Sequence, residues 1–286
     1  MTGPPAWLGR LASAVSARLG RESGAIRAAR PLYEWTLDAL TLRRGVPVVV
    51  NGVERLRVDP RHRSRFPSSY EPEVFAFLRS GVGTGDVVLN VGANVGLYAL
   101  CLGRWVGPSG RVFAFEPGPD ACRLLARHVR LNGLADRVEV VASAVSDRVG
   151  TAEFFTAGFE GTNRLDRPNP DAPGAAMLTV PVTSLDRFCE DRGIRPDWIV
   201  VDVEGHEAAV LRGARGILAS RAGRVRIVAE MHPSLWLGAG EGRGAMARTL
   251  ADLGLTAVPL QGQRDPLGEY GIVALEGGHP PASGTR

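Results

Sequence analysis

From about Glu71 onward, short β-branched runs alternate with stretches of helical periodicity, and this alternation restricts the chain to a parallel or mixed sheet covered by helices. Val87 to Val91 reads as the first strand, Val95 to Trp105 as a helix, and Arg111 to Glu116 as the second strand. Asp120 to Asn132 is the next helix, stopped by Gly133 at its C′ position. Val138 to Ala142, Trp198 to Asp202 and Val225 to Met231 continue the strand series, and Thr256 to Leu260 and Tyr270 to Leu275 supply the last strands. Residues 157 to 176 carry Gly158, Gly161, Pro168, Pro170 and Pro173, a polar insertion of the length that compact domains use for function or leave disordered. The pattern predicts an extension over residues 1–70, an α/β domain over 71–276 and a flexible tail over 277–286.

Composition narrows the class. Hydrophobic residues make up 44% and charged residues 22% of the 286, which excludes a disordered or fibrous chain. No apolar run approaches the roughly 20 residues needed to cross a bilayer. Cys101, Cys122 and Cys189 are an odd number without CxxC spacing, which argues against a disulfide scaffold or zinc knuckle. Every basic residue is Arg. Residues 1–65 hold 12 Arg against 5 acidic residues, a net +7, and the remainder is close to neutral.

Within that basic extension Trp7, Leu8, Leu11, Val15 and Leu19 recur at helical spacing with Arg10, Arg18 and Arg21 interleaved. An amphipathic helix of this kind packs its apolar stripe on the main domain, or lies on an anionic membrane or phosphorylated partner. Arg10 and Arg18 break the apolar core that a signal peptide needs, so a cytoplasmic protein is expected. Val46 to Val50 and Val53 to Val58 flank Asn51-Gly52, which accepts positive φ at both centres of a type I′ turn and predicts a hairpin. Arg61, Arg63 and Arg65 follow in a polar linker, as a solvated charge run or a phosphate-contacting patch.

The first strand runs into Val91-Gly92-Ala93-Asn94-Val95-Gly96 and then a helix, a junction at which a ligand can approach the backbone and face a helix N-terminus. The dinucleotide fingerprint lacks its third glycine, and no G-K-[ST] is present. Both common phosphate readings are thereby weakened. An adenosine-type ligand without pyrophosphate remains, with Glu116, at the end of the second strand, placed to hold two ribose hydroxyls. S-adenosylmethionine fits this description.

With these residues the chain resembles the FkbM family of S-adenosylmethionine-dependent methyltransferases. Besides Gly85-Asp86-Val87-Val88 and the glycine turn, the resemblance rests on Phe115-Glu116-Pro117, Ala144-Val145-Ser146-Asp147, Ser184-Leu185-Asp186, Val201-Asp202-Val203-Glu204-Gly205-His206-Glu207 and Glu230-Met231-His232-Pro233. It implies a class I (Rossmann-like) methyltransferase fold, a mixed seven-stranded sheet with its last strand antiparallel and helices on both faces. It also implies methyl transfer to a hydroxyl of a small molecule, a sugar or another natural-product intermediate. The cofactor residues it implies are Asn90, Gly92, Ala93, Asn94, Gly96, Glu116, Pro117, Ser143, Ala144 and Asp202. Asn90 stands where many members carry Asp, so an amide oxygen would meet the donor's amino group.

A hydroxyl is a poor nucleophile until its proton leaves, so a base must lie within reach of it. Asp202 and Glu230 end two neighbouring strands at the carboxyl edge of the sheet, where doubly wound folds bind ligands. Asp202, Glu204 and His232 are the catalytic candidates, with Glu204 or His232 as base. Glu207 reads equally as a helix cap, His206 as a packing residue, Glu230 as a buried carboxylate held by backbone amides, and Asp186 as an N-cap. Asn163 and Arg164 in the insertion are candidates for recognising the acceptor or the donor carboxylate. Acids clustered with a histidine are also a donor set for a divalent ion, but methyl transfer requires no metal and none is assigned. The alternatives are RNA or protein methylation, motivated by the basic extension, a nicotinamide-dependent oxidoreductase, and a non-catalytic adenosine-binding protein. The N/D-P-P-F/Y motif of exocyclic-amine methylation is absent, and nucleic acid is not expected as a partner.

Overall fold

In a computed structural model the chain is described over residues 44–157, 163–166, 175–221, 223–236 and 242–277, together with Leu32, Trp35 and Thr36. The expected basic helix at Trp7 to Arg21, most of the 157–176 insertion and the tail after Gly277 lie outside those residues. The chain divides into two compact units, residues 1–70 with 130–133, and the remainder.

In the smaller unit β1 (Val46–Val50) and β2 (Glu54–Val58) form the expected hairpin, paired antiparallel with Val50 opposite Glu54. Asn51 and Gly52 take φ of 47° and 70°, and the Val53 amide donates to the Val50 carbonyl at 3.1 Å, as a turn with two left-handed centres requires. Val53 sits outside the register as one extra residue, so the second strand starts a residue later than its valines suggest.

The larger unit opens with α1 (Pro72–Gly81) and is built on β3 (Val87–Val91), β4 (Arg111–Phe115), β5 (Val138–Val141), β10 (Trp198–Val201), β11 (Arg226–Met231), β12 (Leu255–Pro259) and β13 (Gly271–Gly277). Their order across the sheet is β12-β13-β11-β10-β3-β4-β5, all parallel except β13, which runs antiparallel to both neighbours. This is the mixed seven-stranded class I arrangement. Val88 to Val91, Val112 to Phe115 and all of β10 are buried, because helices cover both faces and leave no polar side to alternate with. Leu89, Val91, Phe113, Phe115, Ile199 and Val201 share one core with α4 (Leu185–Arg192), α5 (Glu207–Arg212), α6 (Arg215–Ser220) and α8 (Gly242–Asp252). There the Phe188 ring meets Phe113 and Phe115 edge-on at 5.3 and 4.7 Å. On the other face α2 (Leu97–Trp105) approaches so closely that a Cβ on Gly103 would lie 2.4 Å from Val138. Helix α3 (Pro119–Leu131) buries Ala121, Leu124, Leu125, His128 and Val129, the i, i+3, i+4 stripe of an amphipathic helix.

The sequence reading did not anticipate a second sheet. β6 (Ala144–Val145), β7 (Gly150–Thr156), β8 (Arg164–Leu165) and β9 (Ala176–Thr183) join in the order β6-β9-β7-β8, with β7 and β9 antiparallel over seven residue pairs. The proline- and glycine-rich insertion therefore links strands that are paired to each other. Asp186 also differs from expectation. Ser184 caps its own helix by accepting from the Arg187 amide at 3.1 Å, whereas Asp186 accepts from the Gly216 and Ile217 amides at 2.7 and 2.8 Å and caps α6. Among the described residues no helix is long and apolar enough to cross a membrane.

Candidate functional site

The glycine turn at the end of β3 is held by its neighbour strand: the Gly92 and Ala93 amides both donate to the Phe115 carbonyl, at 3.0 and 2.9 Å. Gly92 has φ of +81°, and a Cβ there would lie 1.7 Å from the Asp202 carbonyl oxygen, so β10 leaves the sheet in contact with the turn. Asn94, at φ 46°, directs its amide to Glu116 Oε2 at 2.9 Å, while the Gly118 amide donates to Oε1 at 2.8 Å. Both carboxylate oxygens of Glu116 are thereby oriented by backbone. Burial pushes its pKa up to about 7, against the lowering effect of those two amide bonds. Two amide oxygens beside this turn, Asn90 Oδ1 and Asn94 Oδ1, are buried without a hydrogen-bond partner among the described residues. Buried acceptors of that kind are costly unless a ligand or water completes them.

A cavity with about 710 Å³ of empty space, part of it open to solvent, starts at this turn. Gly92, Asn94, Glu116, Pro117, Ser143, Ala144, Asp202 and Glu204 line it, as do His206 and the two insertion residues Asn163 and Arg164. Asn90, Ala93, Gly96 and His232 are not among the residues that line it. Phe154 and Leu165 close it from the second sheet, and neither was anticipated, because their strands were not. Arg164 is buried, with its guanidinium donating to the Glu204 and Leu235 carbonyls at 3.1 and 3.0 Å. His206 does more than pack: its Nε2 lies 2.9 Å from Ser146 Oγ.

The turn after β10 and the end of β11 bring acidic groups together. Burial, and then the charge of Glu230, raise the Asp202 pKa well above the carboxylate range. Burial raises Glu204 to about 7, although the nearby His232 pulls it down. Tyr270 donates its hydroxyl to Glu230, so this carboxylate is held by a side chain, not by the backbone amides expected for it.

Glu207 neither stays at the surface nor merely caps its helix. It is fully buried, and its Oε1 accepts from His232 Nδ1 at 2.6 Å and from the Gly205 amide at 3.2 Å, while Oε2 accepts from Trp236 Nε1 at 2.7 Å. His232 and Trp236 flank one turn of α7 (Pro233–Trp236), so residues four apart reach the same carboxylate. Burial alone would lower the His232 pKa, but the Glu207 bond and the surrounding carboxylates raise it. Its Nε2 then faces Glu204 Oε2 and Glu230 Oε1, each 3.7 Å away.

The FkbM methyltransferase domain matches residues 90–254. Over 153 residues the chain is 30% identical to the hexuronic acid methyltransferase AglP of Haloferax volcanii, a match that covers 52% of this chain and 59% of that protein. It is 28% identical over 154 residues to the methyltransferase sdnD of Sordaria araneosa, covering 44% of this chain and 59% of the relative. The chain thus spans under two thirds of the length of either. Among solved structures, an O-methyltransferase from Bacillus cereus in complex with SAH superimposes with a TM-score of 0.43 at 18% identity, covering 75% of this chain and 86% of that one.

Proposed function

This chain belongs to the FkbM methyltransferase family, and on that premise we propose that it is an S-adenosylmethionine-dependent O-methyltransferase acting on a hydroxyl of a small molecule, a sugar or another natural-product intermediate. One observation carries the reading: the Glu116 carboxylate and the Asp202–Glu204 turn line a single cavity. The residues suit the donor. Glu116 and the unpartnered Asn94 Oδ1 offer acceptors for ribose hydroxyls, and Asn90 Oδ1 with Asp202 offers acceptors for an ammonium group. Gly92 lines the same cavity, and its missing side chain lets the Asp202 backbone come up against the turn. When bound, the sulfonium donor supplies the methyl group: a C–O bond forms to the acceptor, the C–S bond breaks, and a neutral thioether leaves.

The chain's own tasks are to align the acceptor, exclude water and remove one proton. Glu204 lines the cavity with a side chain 21% exposed, whereas His232 does not line it, so Glu204 takes the hydroxyl proton. His232 sits beside it, with Nε2 3.7 Å from Glu204 Oε2 and Nδ1 pinned by Glu207. The similarity to the hexuronic acid methyltransferase of Haloferax volcanii supports a sugar as the acceptor.

Calorimetric titration with S-adenosylhomocysteine tests the donor end. Wild-type protein is expected to bind in the micromolar range and Glu116→Ala to lose at least tenfold; a folded wild type that binds nothing overturns the reading. Acceptor class follows from thioether release measured over a panel of neutral sugars, hexuronic acids and polyketide-like alcohols.

The pH dependence has a definite sign. Glu116 accepts the ribose hydroxyls as a carboxylate, and in the free protein it is half protonated at about 7. Affinity is therefore expected to fall as pH drops below 7, by up to about tenfold per unit. Binding at pH 6 should release a proton, seen as a heat that changes with the ionisation enthalpy of the buffer. Glu116→Gln should bind weakly and without the proton release; a buffer-independent heat at pH 6 in the wild type would refute the assignment.

A further inference from the structure

Asp202, Glu230 and His232 each present one ligand atom, and those atoms all lie within 4.8 Å of one another. Carboxylates alone would not make a site, but the histidine supplies a second and independent observation. The His232 side chain is only 8% exposed, its Nδ1 is fixed by Glu207, and its Nε2 makes no hydrogen bond among the described residues. A buried carboxylate that accepts from one imidazole nitrogen fixes the tautomer and turns the lone pair of the other nitrogen towards the cluster, the outer support usually found behind a metal-bound histidine.

The spacing agrees. His232 Nε2 is 3.7 Å from Glu230 Oε1, too long for a hydrogen bond. Two ligand atoms that each bind one ion at about 2.1 Å lie roughly 3.0 to 3.4 Å apart, so the pair would close by about 0.3 to 0.7 Å around an ion. The charge agrees as well, since Asp202, Glu204 and Glu230 converge where water is scarce and a divalent cation would offset their repulsion.

We propose that Asp202, Glu230 and His232 bind a divalent first-row transition cation, of the Mn²⁺ or Zn²⁺ class, beside the cavity that Asp202 lines. The donor set selects the class. Ca²⁺ and Mg²⁺ prefer oxygen throughout, thiolates are absent from the cluster, and an imidazole beside carboxylates suits the harder transition ions. Three protein ligands leave positions open for an acceptor oxygen, whose hydroxyl proton the cation would acidify before Glu204 removes it. That role rests on the methyltransferase reading, but the existence of the site does not. Glu207 is then a positioning residue that acts through His232.

Titration with MnCl2, following the free-ion signal by electron paramagnetic resonance, tests this without any methyl transfer. Wild-type chain is expected to take up one Mn²⁺. Glu230→Gln and His232→Ala should each weaken uptake by at least tenfold, and Glu207→Gln by about 10- to 100-fold, all three still binding S-adenosylhomocysteine as folded proteins. No uptake at millimolar Mn²⁺ by wild type that does bind S-adenosylhomocysteine overturns the site, as does uptake undiminished in Glu230→Gln and His232→Ala. Uptake lost in the variants, from a wild type that never binds S-adenosylhomocysteine, supports the metal site and removes the donor assignment alone.

Discussion

Glu204→Gln is expected to slow methyl transfer by about 10²- to 10⁴-fold, the range that removing a positioned general base takes from a proton-coupled step. S-adenosylhomocysteine affinity should stay within about twofold, because the amides of Asn94 and Gly118, not Glu204, orient the Glu116 carboxylate. The amide keeps the shape of the side chain and can still accept a hydrogen bond from the acceptor hydroxyl, but it cannot take the proton. KM for the acceptor should therefore change less than kcat. His232→Ala separates two roles. If Glu204 is the base and His232 lies beside it, His232→Ala lowers kcat but leaves a residual rate that still depends on Glu204. If His232 is the base, Glu204→Gln keeps most of the rate and the assignment made here is wrong. Initial rates of thioether formation, measured on both variants with one acceptor and saturating donor, decide between them.

The parallel part of the sheet was legible because its strands are buried on both faces, so they stand out as continuous runs such as Val87-Val88-Leu89 and Trp198-Ile199-Val200-Val201. The second sheet was not, although its signal existed. In β7 Ala152 and Phe154 are buried between more exposed neighbours, and in β9 so are Val180 and Val182. That is the period of two, but Thr151, Glu153 and Pro181 dilute it, and the pairing partner lies across the proline-rich insertion. Glu116 could be located because a strand-end carboxylate after a glycine turn has a positional logic. The Glu207–His232–Trp236 cluster has no such logic. Its members lie 25 and 29 residues apart, and only the packing of α5 against the end of β11 shows that Glu207 points inward. On a helical wheel Glu207 is an ordinary first-turn acid, and sequence reasoning gave it an ordinary first-turn role. Arg164 presents the converse, since it was singled out inside a segment with no readable structure, yet it is buried in the cavity wall with its guanidinium on two backbone carbonyls.

Gly92→Ala is expected to be the most disruptive single methyl in the molecule, costing about 4 kcal/mol or more of stability, the level reached only when a specific clash or buried defect is introduced. The added Cβ would be 1.7 Å from the Asp202 carbonyl oxygen and 2.8 Å from its carbon, both backbone atoms, so no rotamer change relieves it. The turn would have to separate from β10, disturbing the Gly92 and Ala93 amide bonds to Phe115 and the Asp202 amide bond to Val91 that keep the turn and β10 in register. Two other glycines with positive φ calibrate the effect. At Gly96 the new Cβ would meet Leu125 Cδ1 at 2.3 Å, the far end of a flexible side chain, so a smaller loss follows. At Gly133, φ +66°, nothing lies within 4 Å, and alanine there should cost only the left-handed penalty of about 1 to 2 kcal/mol. Urea denaturation should thus rank the three as Gly92, Gly96 and Gly133, and S-adenosylhomocysteine should raise the midpoint of Gly133→Ala but not that of Gly92→Ala. Equal losses at Gly92 and Gly133 would mean that the turn and β10 do not touch, and the cavity would lose the contact that makes the glycine turn and the Asp202 turn one site.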